Sequence, residues 1–263
     1  MASVRLVRHA TLDLDFDGTR LLVDPMLGAP GDIDPIPNSP NQRPNPLVEL
    51  PDLDRSVFDA VVVTHLHRDH LDDAARERLP ADIPVICQPE DAEELRETFT
   101  DVRPVSGVEE FDGVTVSATP ARHGTGDLAE QMGPVTGFLF DADETVYVAG
   151  DTVWYGPVAD VLASHDPDLA VVNTGEAQFV EGDPITMTRE GVAAFAGATD
   201  ADVVAVHMEA INHCLCTRAD LRDHLDAEGW KTSRYPTTAR RCRGNSPARG
   251  RVYIALGSPS DGS

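Results

Sequence analysis

The chain has 263 residues, 41% of them hydrophobic and 25% charged, a balance that is typical of a folded domain and excludes a disordered protein. Its 45 acidic residues stand against 21 basic ones, a net charge of -24, and one lysine accompanies the arginines. This acidity argues against a nucleic-acid partner, because phosphate backbones are bound by clustered Lys and Arg. It also predicts a halophilic protein, because concentrated salt screens the repulsion between surface carboxylates.

The sequence carries no recognisable targeting or membrane-spanning segment. Residues 1–16 contain no long apolar run behind a basic start, which argues against a signal peptide. No stretch approaches the length of a membrane span, which argues against a membrane partner. Cys214 and Cys216 lie too close together for an ordinary disulfide, whereas Cys87 and Cys242 are isolated in sequence. We therefore expect a cytoplasmic protein with reduced thiols.

The N-terminal part of the chain predicts short strands followed by a long loop. Alternating apolar and polar residues indicate strands at 4–9, 12–16 and 20–23. Seven prolines then lie between Pro30 and Pro51 inclusive, which excludes regular structure there. Loops of this length inside compact domains are usually functional, so we expect this one to help select the substrate.

Strands and helices alternate through the rest of the chain up to residue 230. Strands are predicted at 58–64, 83–87, 114–118, 138–140, 145–149, 169–173 and 203–207. Helices are predicted at 72–79, 90–99, 156–164, 188–197 and 219–228. This order predicts an α/β (α+β) fold with one domain over 1–230, in which two mixed sheets pack face to face with helices outside.

The composition changes after Trp230. Residues 231–263 hold seven of the 21 basic residues but a single acidic one, Asp261. Low hydrophobicity and many Ser, Pro, Gly and Arg residues predict a basic tail that is mostly unpacked, with one strand near 251–256. A disordered extension and a C-terminus altered by a reading-frame change both fit this composition.

The residues that indicate chemistry are concentrated at 65–70, in the segment His-Leu-His-Arg-Asp-His that follows the strand at 58–64. Residues i and i+2 leaving a strand point the same way, so His65 and His67 can share one metal ion. The chain then turns, which lets Asp69 and His70 face a second ion. Imidazole and carboxylate ligands suit Zn²⁺, Mn²⁺ or Fe²⁺, and the lack of cysteine in the segment favours an open, catalytic site.

This segment resembles the His-x-His-x-Asp-His signature of the metallo-β-lactamase superfamily, and the resemblance spans about residues 4–230. It implies the four-layer αββα sandwich of that superfamily and two divalent metal ions, with Zn²⁺ expected and Mn²⁺ or Fe²⁺ as alternatives. It also implies one ion held by His65, His67 and His123, another held by Asp69, His70 and His207, and a bridging carboxylate from Asp151.

Further residues are given roles around the metal ligands. Asp24, after the strand at 20–23, is expected either to orient the histidine segment by accepting hydrogen bonds or to be a simple turn residue. Asp69 is the expected acceptor of the proton of the attacking water. His213 is expected either to give a proton to the leaving group or to cap local structure. The other histidines are expected to be surface or structural residues: His9, His165 and His224.

The predicted activity is hydrolysis of an ester, lactone or phosphoester bond in a small molecule. Two adjacent metal ions lower the pKa of a bridging water and polarise a carbonyl or phosphoryl oxygen. Redox di-iron members of the superfamily usually carry a glutamate where this chain has His67, and this difference favours hydrolysis.

Glu176 and the segment 207–214 resemble the group related to ascorbate-phosphate lactonase. Arg43 and Arg122 are interpreted as an anion site or as ordinary surface arginines.

Two other functions compete with this prediction. A nuclease of the same superfamily needs a basic groove, which the charge distribution over 1–230 does not supply. A non-catalytic metal-binding protein is expected to lack at least one ligand, and every ligand is present here. The sequence leaves the substrate, the metal and the oligomeric state open.

Overall fold

Fifteen strands and six α-helices lie in the part of the chain that the computed structural model describes, residues 2–235, 239–240 and 251–255. The strands are β1 (Ala2–Arg8), β2 (Thr11–Phe16), β3 (Thr19–Val23), β4 (Ala60–Val63), β5 (Val85–Cys87), β6 (Val102–Pro104), β7 (Val108–Phe111), β8 (Val114–Pro120), β9 (Thr136–Asp141), β10 (Thr145–Val148), β11 (Leu169–Asn173), β12 (Asp202–Val206), β13 (Thr232–Tyr235), β14 (Ala239–Arg240) and β15 (Val252–Ala255). The α-helices are α1 (Asp73–Arg78), α2 (Ala92–Leu95), α3 (Gly126–Met132), α4 (Gly156–His165), α5 (Arg189–Gly197) and α6 (Arg218–Ala227). Every helix that the structure describes is too short or too polar to span a bilayer.

The strands form two mixed sheets. The first has the order β14-β1-β2-β3-β4-β5-β6, and the second has the order β13-β15-β12-β11-β10-β9-β8-β7. In the first sheet β1 to β3 are antiparallel and β3 to β6 are parallel. In the second sheet β7 to β10 are antiparallel, whereas β10, β11, β12, β15 and β13 are parallel. The predicted pair of mixed sheets is confirmed.

Apolar side chains between and outside the sheets produce four layers. Leu14 and Val62 of the first sheet pack with Phe140 and Val171 of the second in one buried cluster. Helices α4, α5 and α6 cover the outer face of the second sheet, and α1 and α2 cover the outer face of the first. The αββα sandwich is therefore confirmed, with its main core between the sheets.

Strand β2 shows how the sequence directs this packing. Its residues alternate between apolar and acidic, so Leu12 and Leu14 enter the core between the sheets. Asp13 points to the other face, where it accepts hydrogen bonds from Arg5 Nε at 3.0 Å and Arg20 Nε at 3.2 Å. The pattern that predicted the strand thus also decides which face is buried.

The helix predicted at 90–99 is wrong in extent. The chain forms a 3-10 turn at Pro89–Asp91 and then one helical turn, α2. Residues 98–100, Thr-Phe-Thr, are weak helix formers, and the Phe99 side chain is buried against the first sheet. Burying this one aromatic ring is more favourable in free energy than extending an acidic, exposed helix.

The second sheet extends past residue 230. Strand β15 lies within the segment 251–256 and pairs with β12 on one side and β13 on the other. Val252 and Ile254 of β15 are fully buried. Strands β13 and β14, in the same tail, were not predicted, and they pair with β15 and β1. The rest of the prediction of an unpacked tail falls on residues 236–238, 241–250 and 256–263, which lie outside the described residues, as does Cys242. The other cysteines, Cys87, Cys214 and Cys216, are free thiols.

Candidate metal centre

The candidate site lies where strands of both sheets end. The segment 65–70 follows β4, Asp151 follows β10, and His207 follows β12. Parallel strands place their carboxyl ends at one edge of a sheet, so residues far apart in sequence meet there. The structure brings together all seven predicted metal ligands: His65, His67, Asp69, His70, His123, Asp151 and His207.

Three imidazoles form a first cluster. The ligand atoms of His65, His67 and His123 all lie within 4.8 Å of one another, and His65 Nε2 is 2.9 Å from His67 Nδ1. His123 Nδ1 donates a hydrogen bond to the carbonyl oxygen of Ile185 at 2.8 Å. Because that bond fixes the proton on Nδ1, His123 presents an unprotonated Nε2, as a metal ligand must. The segment 65–70 and the loop after β8 thus supply one half of the site.

A second cluster contains a carboxylate. Oδ2 of Asp69 lies 3.9 Å from His70 Nε2 and 3.7 Å from His207 Nε2. A fourth residue, His9, also belongs to this cluster, and its ligand atom lies within 4.8 Å of the other three. All four side chains are buried.

Asp151 lies between the two clusters. Its Oδ2 is 3.5 Å from His123 Nε2 and 3.3 Å from His70 Nε2, and its Oδ1 is 3.4 Å from His207 Nε2. The amide of Asn173 donates a hydrogen bond to Oδ1 at 2.6 Å and so fixes the carboxylate. One carboxylate therefore contacts both clusters: Oδ2 faces a histidine of each, and Oδ1 faces the second cluster alone.

The role predicted for Asp24 is confirmed. Its Oδ1 accepts a hydrogen bond from the backbone nitrogen of Thr64 at 2.8 Å. Its Oδ2 accepts bonds from Thr64 Oγ1 and from His70 Nδ1, each at 2.8 Å. The bond to Nδ1 leaves His70 Nε2 facing Asp151 and the second cluster. Asp24 therefore orients both the start and the end of the histidine segment.

Buried carboxylates give the site a strong preference for positive charge. Burial acts to raise the pKa of Asp69 and Asp151, but the neighbouring imidazoles hold the pKa of both well below the usual range. Burial acts to lower the pKa of His70, but the charges of Asp151, Asp24 and Asp69 raise it well above the usual range. Burial and the nearby His70 lower the pKa of His65 well below its ordinary value, so this ring is neutral.

These residues fit divalent metal ions. Nε2 of His70 and Nε2 of His207 are buried and have no hydrogen-bond partner among the residues that the structure describes. An unpaired buried polar atom is costly, and here two such atoms point at carboxylate oxygens. A cation among them satisfies the nitrogens and the negative charge together.

Of the two positions expected for His9, the surface one is wrong. Its side chain is 1% exposed, and its Nε2 lies 3.1 Å from Asp69 Oδ2. Nothing in the histidine signature points to a residue 60 positions upstream of Asp69. The available signal was its place at the end of the strand predicted at 4–9, beside Arg8 and Thr11, which are also buried polar residues. His165 is exposed and His224 is half-buried.

His213 is buried near the cluster, whereas its neighbour Asn212 binds a loop. His213 Nδ1 has no hydrogen-bond partner in the described part of the chain, and its ring stacks on Phe179 with centroids 6.3 Å apart. Burial lowers the pKa of His213 to about 4, so the ring is neutral at neutral pH. Asn212 exchanges hydrogen bonds of 2.8 Å with Asn45, in both directions, and so holds the proline-rich loop.

The other side chains noted in the sequence have local partners. Glu176 accepts two hydrogen bonds from the guanidinium of Arg189, at 2.8 and 3.0 Å. Arg122 stacks on the ring of Tyr155 at 4.4 Å, and Arg43 is exposed. These contacts support structural or surface positions for the three predicted candidates.

Comparisons with known proteins agree with this fold and site. A sandwich of two mixed sheets with a His/Asp cluster at their shared edge defines a class of metal-binding proteins. The sequence model of the Beta-lactamase superfamily domain matches residues 19–208. The UPF0173 protein YddR of Bacillus subtilis is 34% identical over 241 residues, which cover 88% of this chain and 95% of that protein. The chain belongs to the metallo-β-lactamase superfamily of metal-dependent hydrolases.

Two solved structures are similar along most of their length. A possible metal-dependent hydrolase from Veillonella parvula DSM 2008 has a TM-score of 0.82 and 33% identity, and the match covers 87% of this chain and 93% of that one. An isothiocyanate hydrolase from Delia radicum gut bacteria has a TM-score of 0.81 and 36% identity, with 86% and 93% coverage. The predicted superfamily is confirmed, while the finer resemblance to the lactonase group stays a prediction.

Proposed function

We propose that this hydrolase uses two divalent metal ions to activate water against an ester, lactone or phosphoester bond in a small molecule. The observation that carries the proposal is Asp151, whose Oδ1 lies 3.4 Å from His207 Nε2 and whose Oδ2 lies 3.5 Å from His123 Nε2. A carboxylate that lies between two ligand clusters and contacts imidazoles of both is suited to bridge two ions.

Each of the two ions is proposed to bind at one of the two ligand clusters. His65, His67 and His123 would hold one ion, Asp69, His70 and His207 would hold the other, and Asp151 would contact both. Zn²⁺ is the expected metal, and Mn²⁺ or Fe²⁺ would suit the same donors. Metal ions bound there lower the pKa of a bridging water to near neutrality and polarise the bond under attack.

Asp69 and His213 are the proposed catalytic side chains. Asp69 Oδ2 lies beside the nitrogens of His70 and His207, where it can accept the proton of the attacking water. His213 keeps a buried Nδ1 with no partner among the described residues, and a bound substrate could supply that partner. Because the ring is neutral, its proposed contribution is an N–H hydrogen bond to the leaving group.

The proline-rich loop is proposed to line the substrate site and to determine which substrates bind. Asn212 accepts the backbone N–H of Ile36 at 3.0 Å and donates to Ser39 Oγ at 2.5 Å, in addition to its pair with Asn45. Val180 N donates to the carbonyl oxygen of Asn38 at 2.6 Å. A loop held at both of these points has a fixed shape, so its side chains can discriminate between substrates.

Metal analysis and a substrate screen test this proposal. The purified protein is analysed for bound metals and assayed on lactone, carboxylic ester, phosphomonoester and phosphodiester substrates, with and without a chelator. We expect two ions per chain and chelator-sensitive turnover of at least one class. Turnover of phosphodiesters in nucleic acid alone would favour the nuclease, and two bound ions without turnover of any substrate would favour a binding protein.

Isothiocyanate hydrolysis is a second candidate. The observation that favours it is the 36% identity and TM-score of 0.81 to an isothiocyanate hydrolase, over 86% of this chain. Water adds to the central carbon of R–N=C=S, the C–N bond breaks, and the products are the amine R–NH₂ and carbonyl sulfide. The same screen tests it by adding an aryl isothiocyanate and measuring amine release. No amine above the uncatalysed rate would reject this candidate and leave the first one standing.

A further inference from the structure

His9 occupies an unusual position in the turn between β1 and β2. Its backbone is left-handed, with φ of 57°, and its side chain is 1% exposed. Its carbonyl oxygen accepts a hydrogen bond from the backbone nitrogen of His207 at 3.0 Å. The ring lies against that of His207, with centroids 3.7 Å apart. The turn therefore places the His9 imidazole in contact with His207, in the second cluster.

Residues on both sides of His9 fix the turn. Arg8 Nη1 donates to the carbonyl oxygens of Gly28 at 2.9 Å and Val48 at 3.2 Å. Thr11 Oγ1 donates to the carbonyl oxygen of Asp24 at 2.7 Å. A left-handed non-glycine residue costs free energy, and such strain persists where the surroundings determine it. The His9 ring is thus held in place by the fold.

The contact between His9 and Asp69 has a defined direction. His9 Nε2 lies 3.1 Å from Asp69 Oδ2, and an ionised carboxylate can only accept, so Nε2 donates. Oδ2 is also the oxygen that lies nearest the nitrogens of His70 and His207. The hydrogen bond therefore acts on the atom that faces the second metal ion.

We propose that His9 is a positioning residue, which holds Asp69 Oδ2 toward the second metal ion by donating a hydrogen bond to it. The inference rests on the proposed function, because it assumes a metal ion in the second cluster. His9 is not itself a ligand, since its Nε2 proton points at the carboxylate. Carboxylates that ligate metals are commonly held in this way, and loss of such a partner costs about 10- to 100-fold in metal affinity or activity.

Two substitutions of similar size separate this role from a structural one. His9→Gln keeps an N–H donor near the position of Nε2, whereas His9→Leu removes it, and both place a side chain that is unbranched at Cβ on the same strained backbone. His9→Asn tolerates the left-handed backbone but has a shorter side chain, so it is a second variant without the contact. His165→Leu, at an exposed position in α4, is the matched control.

The experiment measures the Zn²⁺ affinity of both clusters by competition with a chromophoric chelator, the visible spectrum of the Co²⁺ form, and thermal unfolding. We expect His9→Leu and His9→Asn to weaken the second ion about 10- to 100-fold while the first ion is unchanged, and His9→Gln to recover most of the loss. His165→Leu is expected to behave as the wild type does.

Other outcomes overturn the proposal in different ways. If His9→Leu binds the second ion with wild-type affinity, His9 is only structural. If His9→Leu fails to fold, the same result in His9→Asn leads to the same conclusion. His9 is a ligand if His9→Gln does not recover the lost affinity for the second ion and its Co²⁺ spectrum indicates one nitrogen ligand fewer. A wild type that binds a single ion contradicts the dinuclear proposal by itself, and His9 is then judged by its effect on that ion.

Discussion

The two ligand clusters differ in charge and enclosure. The first consists of three imidazoles, one of which, His67, is half-buried. The second contains Asp69, is fully buried, and is backed by Asp24 and His9. A carboxylate ligand adds Coulomb attraction in a low-dielectric site, and hydrogen-bonded partners raise ligand basicity. We therefore expect the second cluster to bind its ion more tightly, and the first cluster to exchange its ion with solvent.

The substitution with the largest expected effect is at Asp151, the carboxylate that contacts both clusters. Asp151→Asn keeps the size of the side chain but removes the charge that faces both ions. We expect a loss of hydrolytic rate of at least about 1000-fold, because in the proposed site both ions and the bridging water would depend on that carboxylate. Metal analysis and steady-state kinetics check the result, with circular dichroism as the control for folding. Retention of two ions and near-normal turnover would contradict the bridging role.

A substitution at Asp24 sharpens the comparison between the clusters. Asp24→Asn removes the charged acceptor behind His70 Nδ1. We expect the second ion to be bound about 10- to 100-fold more weakly, with a smaller change at the first cluster. Chelator competition at both sites measures the difference. An equal loss at both clusters would indicate that Asp24 acts through the whole 65–70 segment instead of through His70.

The loop contact of Asn212 provides a prediction about stability. Asn212→Ala leaves several polar groups of the loop without a partner, among them the Asn45 side chain and the Ile36 N–H. We expect the free energy of unfolding to fall by about 1 to 3 kcal/mol. The Michaelis constant should rise more than the turnover number changes, because the metal ligands stay in place. Arg43→Ala, at an exposed position in the same loop, is the control and is expected to change neither quantity.

The smallest expected effect concerns the acidic surface. With a net charge of -24, the folded chain repels itself at low ionic strength, and molar salt screens this repulsion. We expect the melting temperature to rise as KCl increases from 0.1 M to about 2 M. The buried second cluster should lose little metal affinity over that range, since buried charges are screened weakly. A melting temperature that is indifferent to salt would contradict the halophilic interpretation.

The sequence predicted the parts of the molecule that local patterns specify. The strand-to-turn spacing at 65–70 indicated a metal site, and the family resemblance that this segment carries implied the sandwich and the other candidate ligands, His123, Asp151 and His207. His9 was missed because its partner, Asp69, is reached only through tertiary packing. The contact of Asn212 with the proline-rich loop was not predicted, because its partners there lie about 170 positions upstream. Pairing of β13 with β15 depends in the same way on sheet register.

The most direct test of the central claim is a crystal structure with anomalous diffraction measured at the absorption edge of the bound metal. The account predicts two anomalous peaks, one among His65, His67 and His123 and one among Asp69, His70 and His207, with an Asp151 oxygen on each. A single peak, or two peaks that Asp151 does not connect, would contradict it.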